Sequence, residues 1–249
     1  MKLAALSLTL ALTLTAPALA KSKSTPAPAP ANALTAKEKA AGWKLLFDGK
    51  TTKGWRSFKS APFPADHWVA KEGTLVCVGG KKVTDIVTEE QFDNFEFAWD
   101  WKMTPKGNSG LKYLVDEAMA KKGNDGIGFE YQLLDDELHP DAKKGKDGNR
   151  TAGSLYDLIP AGKDKVLHPV GEWNESRLLV DGNHIEHWLN GVKVVSYERG
   201  SPEMKARIAD SKYKDIPGFG EVQKGHLLLQ DHDSEVYFRN MKIRVLKKK

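Results

Sequence analysis

His184-Ile-Glu-His-Trp-Leu-Asn-Gly-Val-Lys-Val-Val195 holds two alternating apolar and polar runs joined by Asn190-Gly191. A period of two is the pattern of a strand, and Asn-Gly supplies the positive φ angles of a type I′ turn, so the stretch reads as a β-hairpin. A second turn, Asp181-Gly182-Asn183, ties it to the apolar run at 177–180 and makes a three-strand meander.

The same pattern spreads outward in both directions. Runs rich in β-branched and aromatic residues lie at 43–47, 73–78, 92–103, 110–115, 127–134, 226–230 and 236–245, with Gly, Pro, Asn and Asp between them. Helical periodicity is confined to 35–40 and 202–210. Many short strands separated by turns predict an all-β fold, a two-sheet antiparallel β-sandwich with little helix. No internal repeat marks a second unit, and residues 35–249 read as a single β-sandwich domain.

The N-terminus reads differently. Lys2, an apolar run from Leu3 to about Ala16 and Ala18-Leu19-Ala20 form the pattern of a secretory signal peptide over residues 1–20, too short in its apolar part to span a bilayer. Residues 21–34 follow as a Pro/Ala-rich linker, KSKSTPAPAPANAL, that favours extended polyproline II. The expectation is a soluble, exported protein, periplasmic or secreted, with no membrane span. The single cysteine, Cys77, excludes an intrachain disulfide and sits in an apolar run that suppresses its thiolate. A net charge of +5 without a dense Arg/Lys stripe argues against nucleic acid as a partner. G-x-S-x-G, H-E-x-x-H, C-x-x-C and the phosphate-binding G-x-x-x-x-G-K-[ST] are all absent, and no nucleotide cofactor is indicated.

Two strands carry chemistry on one side. Phe129, Tyr131 and Leu133 point one way, leaving Glu130 and Gln132 on a face that is either a polar cleft or a solvated surface. In 226–233, Gln230 and His232 leave the strand on the side of Leu228. His232 reads either as a strand-end histidine held by Asp231 or Asp233, or as a base or metal ligand oriented by them. His187 shares a side with Ile185 and Leu189, which suggests burial, while Trp188 on the other side offers a sugar-stacking platform. Gly107-Asn108-Ser109-Gly110 reads as a turn whose glycines permit close approach and whose Asn108 and Ser109 offer polar groups. Asp85 and Tyr156 are weaker cleft candidates. Glu130-x-Gln132-x-x-Asp135 is similar to the E-x-D-x-x-E run of lectin-like retaining glycosidases, with Gln in place of the middle Asp. A retaining pair needs its carboxyls about 5–5.5 Å apart. Five strand residues span about 16 Å unless the strand is bent.

Several of these motifs occur together in order: Phe47-Asp-Gly-Lys50 with Gly54-Trp55, Gly107-Asn-Ser-Gly110, Phe129-Glu-Tyr-Gln132, His187-Trp-Leu-Asn-Gly191, and Leu229-Gln-Asp-His232 with Phe238-Arg-Asn240. From about Trp43 to Leu246 the chain resembles the family of 3-keto-disaccharide hydrolases, also described as 3-keto-glucoside 1,2-lyases and hydratases. The resemblance implies a concanavalin A-like jelly roll acting on an oxidised disaccharide or glycoside. The expected reaction is abstraction of the C2 proton and elimination at C1, with hydration completing net hydrolysis. It also tips His187 and His232 toward a site role, with His232 or His187 as the base for the C2 proton. By their side-chain chemistry Glu130 or Asp135 suits the general acid, and Glu130, His187 and His232 are the catalytic set and candidate ligands of a divalent metal. Asn108, Ser109, Gln132, Asp135, Tyr156, Trp188 and Gln230 are the expected substrate contacts. A non-catalytic carbohydrate-binding module is the alternative.

Overall fold

The structure, a computed structural model, describes residues 30–58, 60, 62–80, 83–119 and 126–247. The leader expected at 1–20 lies outside the described residues, as does most of the Pro/Ala-rich stretch. Among the described residues no helix is long and apolar enough to cross a membrane.

Besides two 3-10 turns, thirteen strands and two short α-helices make up the regular structure among the described residues: α1 (Ala36–Ala40), β1 (Trp43–Leu45), β2 (Trp55–Ser57), β3 (Trp68–Lys71), β4 (Thr74–Cys77), β5 (Ile86–Thr88), β6 (Phe95–Met103), β7 (Asn108–Val115), β8 (Phe129–Leu134), β9 (Asn174–Asp181), β10 (His184–Leu189), β11 (Val192–Glu198), α2 (Pro202–Ala209), β12 (His226–Leu229) and β13 (Val236–Val245). Both helices begin on side chains that satisfy otherwise unpaired N–H groups. Thr35 and Glu38 form a capping box on α1, and Ser201 caps α2 just before Pro202.

Two antiparallel sheets result. The larger runs β11-β10-β9-β6-β13-β4-β3, with β1 added to β13. The smaller runs β2-β5-β12-β7-β8. The meander of the opening hairpin is β9-β10-β11, turning at Asn190 and Gly191 with φ of 46° and 80°. This is the sandwich the sequence predicts. β2, β3 and β5 are additions of three or four residues each, below the length at which alternation is readable.

Between the sheets lies one large core. Trp68, Phe97, Trp99 and Trp101 come from the larger sheet and Leu111, Tyr113, Tyr131 and Leu229 from the smaller, all at most 1% exposed. Fully burying a large apolar side chain is worth about 1.5–3 kcal/mol. A second, small cluster of Phe58, Val87, Val115 and Leu228 forms on the opposite face of the smaller sheet. That outer face is where the polar residues of the smaller sheet emerge.

Candidate active site

Register decides what the outer face presents. Antiparallel pairing sets Leu229 opposite both Ile86 and Leu111, and Leu111 opposite Tyr131. Those side chains point into the core, so their chain neighbours point out. One outer row is therefore Asp85, Gln230, Gly110 and Gln132. The next is Val87, Leu228, Lys112 and Glu130. The Gln230 N–H donates to the Gly110 carbonyl at 2.9 Å and pins the first row.

Gly110 leaves a hollow in this floor. Gly107 to Gly110 is not a free turn, because Asn108 to Gly110 already belong to β7. The missing side chain admits the Glu130 carboxylate, whose Oε1 lies 2.5 Å from where a Cβ of residue 110 would sit. The Gln132 and Asn108 amides meet at 3.1 Å. Turned by 180°, the Gln132 amide would instead set its nitrogen 3.1 Å from Glu130 Oε1 and 3.2 Å from the Ser109 carbonyl oxygen. Glu130 is thus seated in the hollow beside the Gln132 amide.

A cleft of about 470 Å³ stands over this floor. Asp85, Lys112, Glu130, Gln230, Asp231 and His232 line it from the sheet, and Gly126 to Gly128 border it. Lys212, Tyr213 and Ile216, from the segment after α2, form the facing wall. Tyr213 stacks on Phe219 with centroids 4.0 Å apart, and the Lys212 ammonium lies over the Tyr156 ring at 4.1 Å. Lys112 Nζ donates to the Gly126 carbonyl at 3.0 Å. Asp85 is 8% exposed, and its carboxyl is pushed up to about 6, chiefly by desolvation. Lys112 and the Asp231 N–H pull it down, while the charges of Asp231 and Glu130 raise it.

The expected site residues divide between this cleft and the rest of the molecule. Glu130, Gln132, Gln230 and His232 share the outer face, with His232 exposed at the mouth. Tyr156 stands beside them: its N–H donates to the Glu130 carbonyl at 3.0 Å and its hydroxyl to Asp141 at 2.8 Å. Ser109 faces the core side, giving its hydroxyl to the Gln230 carbonyl at 2.7 Å. Asp135 accepts the N–H groups of Lys106, Glu137 and Leu138, so it caps the chain after β8 and forms no catalytic pair with Glu130. Trp188 is on the outer face of the other sheet, its indole N–H bonded to Glu186 and its ring covered by Arg177 at 4.0 Å.

His187 is fully buried between the sheets. Its Nδ1 lies 3.2 Å from the Gly153 carbonyl, which can only accept, so Nε2 accepts from the Tyr113 hydroxyl at 2.9 Å, which in turn accepts from Tyr197 at 2.9 Å. Burial pushes the imidazole down to about 3. It stays neutral and ties the two sheets through polar contacts, away from the cleft. The expected metal trio of Glu130, His187 and His232 is therefore not assembled. Among the described residues no group of three or more His, Cys, Asp or Glu side chains is placed to hold a metal ion. Cys77 is buried and its thiol is pushed up by burial.

Lys112, Lys212 and Tyr213 were not among the expected site residues, and Asp231 was expected only as a partner of His232. A lysine on an outer strand position or a tyrosine in a loop has no local signature; only register and chain return bring these four together.

Residues 42–244 match the family described as the 3-keto-alpha-glucoside-1,2-lyase-like domain. A curated 3-keto-disaccharide hydrolase of Bacteroides thetaiotaomicron is 34% identical over 232 residues, covering 83% of this chain and 79% of the relative. Among solved structures, a candidate glycosyl hydrolase of Parabacteroides distasonis is 37% identical with a TM-score of 0.78, over 88% of this chain and all of its own. A second candidate glycosyl hydrolase of that organism is 30% identical with a TM-score of 0.62, over 82% of this chain and 99% of its own.

Proposed function

The chain belongs to the 3-keto-alpha-glucoside-1,2-lyase-like family, and from that premise we propose that it cleaves 3-keto-glycosides, 3-keto-disaccharides among them, in the cleft over Gly110. The observation that carries this is the Glu130 carboxylate, seated in the Gly110 hollow on a cleft floor that also holds Lys112.

A ketone at C3 acidifies the proton on C2. Glu130 removes that proton, and the electron pair passes through an enolate whose oxygen needs a nearby positive charge. Lys112, opposite Glu130 across the β7–β8 pair, supplies it. The enolate collapses, the C1–O bond breaks, and a C1=C2 double bond remains conjugated with the ketone. Water adding at C1, with the proton returned to C2, gives net hydrolysis. Sugar hydroxyls meet Gln230, His232 and the Tyr213 wall. The leader-like residues 1–20 support the reading that the reaction takes place outside the cytoplasm.

The test is turnover of a 3-keto-disaccharide and of its unoxidised parent in ²H₂O. Elimination and re-addition put deuterium at C2 of the product beyond the uncatalysed exchange rate, with the parent sugar untouched. Turnover of the keto substrate with neither deuterium at C2 nor a primary isotope effect on kcat from substrate deuterated at C2 means direct displacement. Turnover of the parent sugar alone, or of neither, removes the reading.

A further inference from the structure

We infer that Asp85 is the general acid that protonates the departing glycosidic oxygen, with Asp231 positioning it; the inference rests on the elimination reading above. Three carboxyls line the cleft, Asp85, Glu130 and Asp231, and the first two have unlike surroundings. Glu130 lies in the Gly110 hollow, and Asp85 stands at the far end of the same row, beyond Gln230. β5 and β8 are three strand spacings apart, roughly 14 Å at the backbone. The Glu130 carboxylate leans over Gly110 on β7, two strand spacings from β5, so roughly 10 Å at the backbone leaves room for a sugar ring between the two carboxyls. A base on C2 and an acid on the C1 substituent require that disposition.

Asp85 is also the more firmly built of the two. Its Oδ1 accepts the Asp231 N–H at 2.9 Å, and its carbonyl accepts the Phe58 N–H at 2.9 Å. Asp231 in turn accepts the N–H groups of Thr84 at 2.9 Å and Asp233 at 3.0 Å, and the Trp68 indole N–H holds the Thr84 carbonyl at 2.8 Å. One hydrogen bond holds the carboxyl directly, the rest of the network fixes its donor and its backbone, and the second oxygen is left for the cleft. The charged and titratable groups facing it are Lys112 on β7, Glu130 on β8, Asp231 after β12 and Cys77 on β4, with His67 3.6 Å from Asp231. Burial dominates among them and leaves a carboxyl that carries its proton close to neutral pH.

Protons balance through the cycle. Glu130 gains the C2 proton as Asp85 gives its own to the leaving oxygen. Asp85, now ionised, takes a proton from the water that attacks C1, and Glu130 returns its proton to C2. Both groups end as they began, so one pair serves elimination and hydration.

The experiment compares Asp85→Asn with the parent enzyme on two substrates, a 3-keto-disaccharide and the 3-keto derivative of 4-nitrophenyl glucoside. A sugar alkoxide leaves poorly without a proton, and nitrophenolate leaves well. The variant is expected to lose about 10²–10⁴-fold in kcat on the disaccharide and less than about tenfold in the first-turnover rate of nitrophenolate release from the aryl glycoside. The retained aryl activity reports that it is folded. The parent's kcat should also fall above a pH near 6, a limb that Asp85→Asn removes. Asp231→Asn, by removing a neighbouring anion, should move that limb to lower pH. Equal loss on both substrates, or no loss on either, overturns the assignment of Asp85 while leaving the elimination reading intact. A parent that turns over neither keto substrate overturns that reading and this inference together.

Discussion

Oε1 of Glu130 occupies the space that a side chain at Gly110 would fill, 2.5 Å from the position of its Cβ, with the Glu130 Cδ and Cγ each 3.0 Å away. Gly110 is not in the left-handed region, so alanine there meets no backbone penalty. The atoms in its way belong to a carboxylate side chain that can swing aside. Gly110→Ala is therefore expected to fold with a stability change of about 1 kcal/mol or less. It should nonetheless lose about 10²-fold in kcat on a 3-keto-disaccharide, since a displaced group of the site commonly costs that much. Thermal unfolding measured beside kcat decides it. A stable Gly110→Ala that keeps full turnover would show that the position of Glu130 does not matter to the reaction.

Alternation made Glu130 and Gln132 visible in the sequence, because three core residues interleave with them in β8. The same rule placed Gln230 and His232 together on the outer face of β12 and its extension. It also put His187 on the buried side of β10, beside Ile185 and Leu189, and the structure keeps it there. What drew His187 toward the site was its place in a family motif, and a motif can mark packing as readily as chemistry. Asp135 ended in a cap because the chain turns directly after β8, where backbone N–H groups need acceptors. The hollow over Gly110 and the diagonal from Glu130 to Asp85 depend on β12 lying between β5 and β7. Strand order of that kind is set by contacts distant in sequence and has no local trace.

Asp85 makes stability depend on pH in an unusual direction for a carboxyl. Its folded value of about 6 lies above its ordinary 3.8, so the folded state holds the proton more tightly than the unfolded chain. That contribution is complete below pH ~4 and is lost as pH rises through ~6, leaving a buried charge that costs up to about 3 kcal/mol. Asp85→Asn keeps an acceptor for the Asp231 N–H and carries no charge. Its melting temperature should exceed that of the parent at pH 7.5 by several degrees and match it near pH 4. A variant less stable at both values would mean that an ionised Asp85, paired with Lys112, holds the fold together.

His187 has the opposite dependence. Its folded value of about 3 lies below the ordinary 6.5, so the unfolded chain takes up a proton that the folded state refuses. Stability is lost as pH falls below ~6.5 and continues to fall toward ~3, by a total of order several kcal/mol. His187→Gln removes that titration but leaves a side chain able to meet Tyr113 and Gly153. The variant should be less stable than the parent at pH 7, since packing against Tyr113 and Tyr131 is lost, with a flatter decline in acid. Urea unfolding at pH 7 and pH 4.5 measures both. Where it is folded, its kcat should stay within a few-fold of the parent, and a loss of 10²-fold or more would return His187 to the chemistry.

His232 and Glu130 compete for the role of base, and their surroundings separate them. His232 stands exposed at the cleft mouth, whereas Glu130 is buried and seated over Gly110. A base must be fixed in orientation against the proton it takes, and a side chain in open solvent lacks that constraint until substrate arrives. At the mouth, an imidazole is suited to hydrogen-bond a sugar hydroxyl, a contact worth about 0.5–1.5 kcal/mol. His232→Ala should accordingly raise KM for a 3-keto-disaccharide by up to about tenfold and change kcat by only a few-fold. Stability should shift by no more than about 0.5 kcal/mol, as for a surface residue without packing. Glu130→Gln, by contrast, should lower kcat by about 10²–10⁴-fold on both the disaccharide and the activated aryl glycoside, because the C2 proton must be removed from either. If His232→Ala instead takes the large loss in kcat and Glu130→Gln does not, the base is the histidine at the mouth. The carboxylate over Gly110 would then be left to hold the sugar.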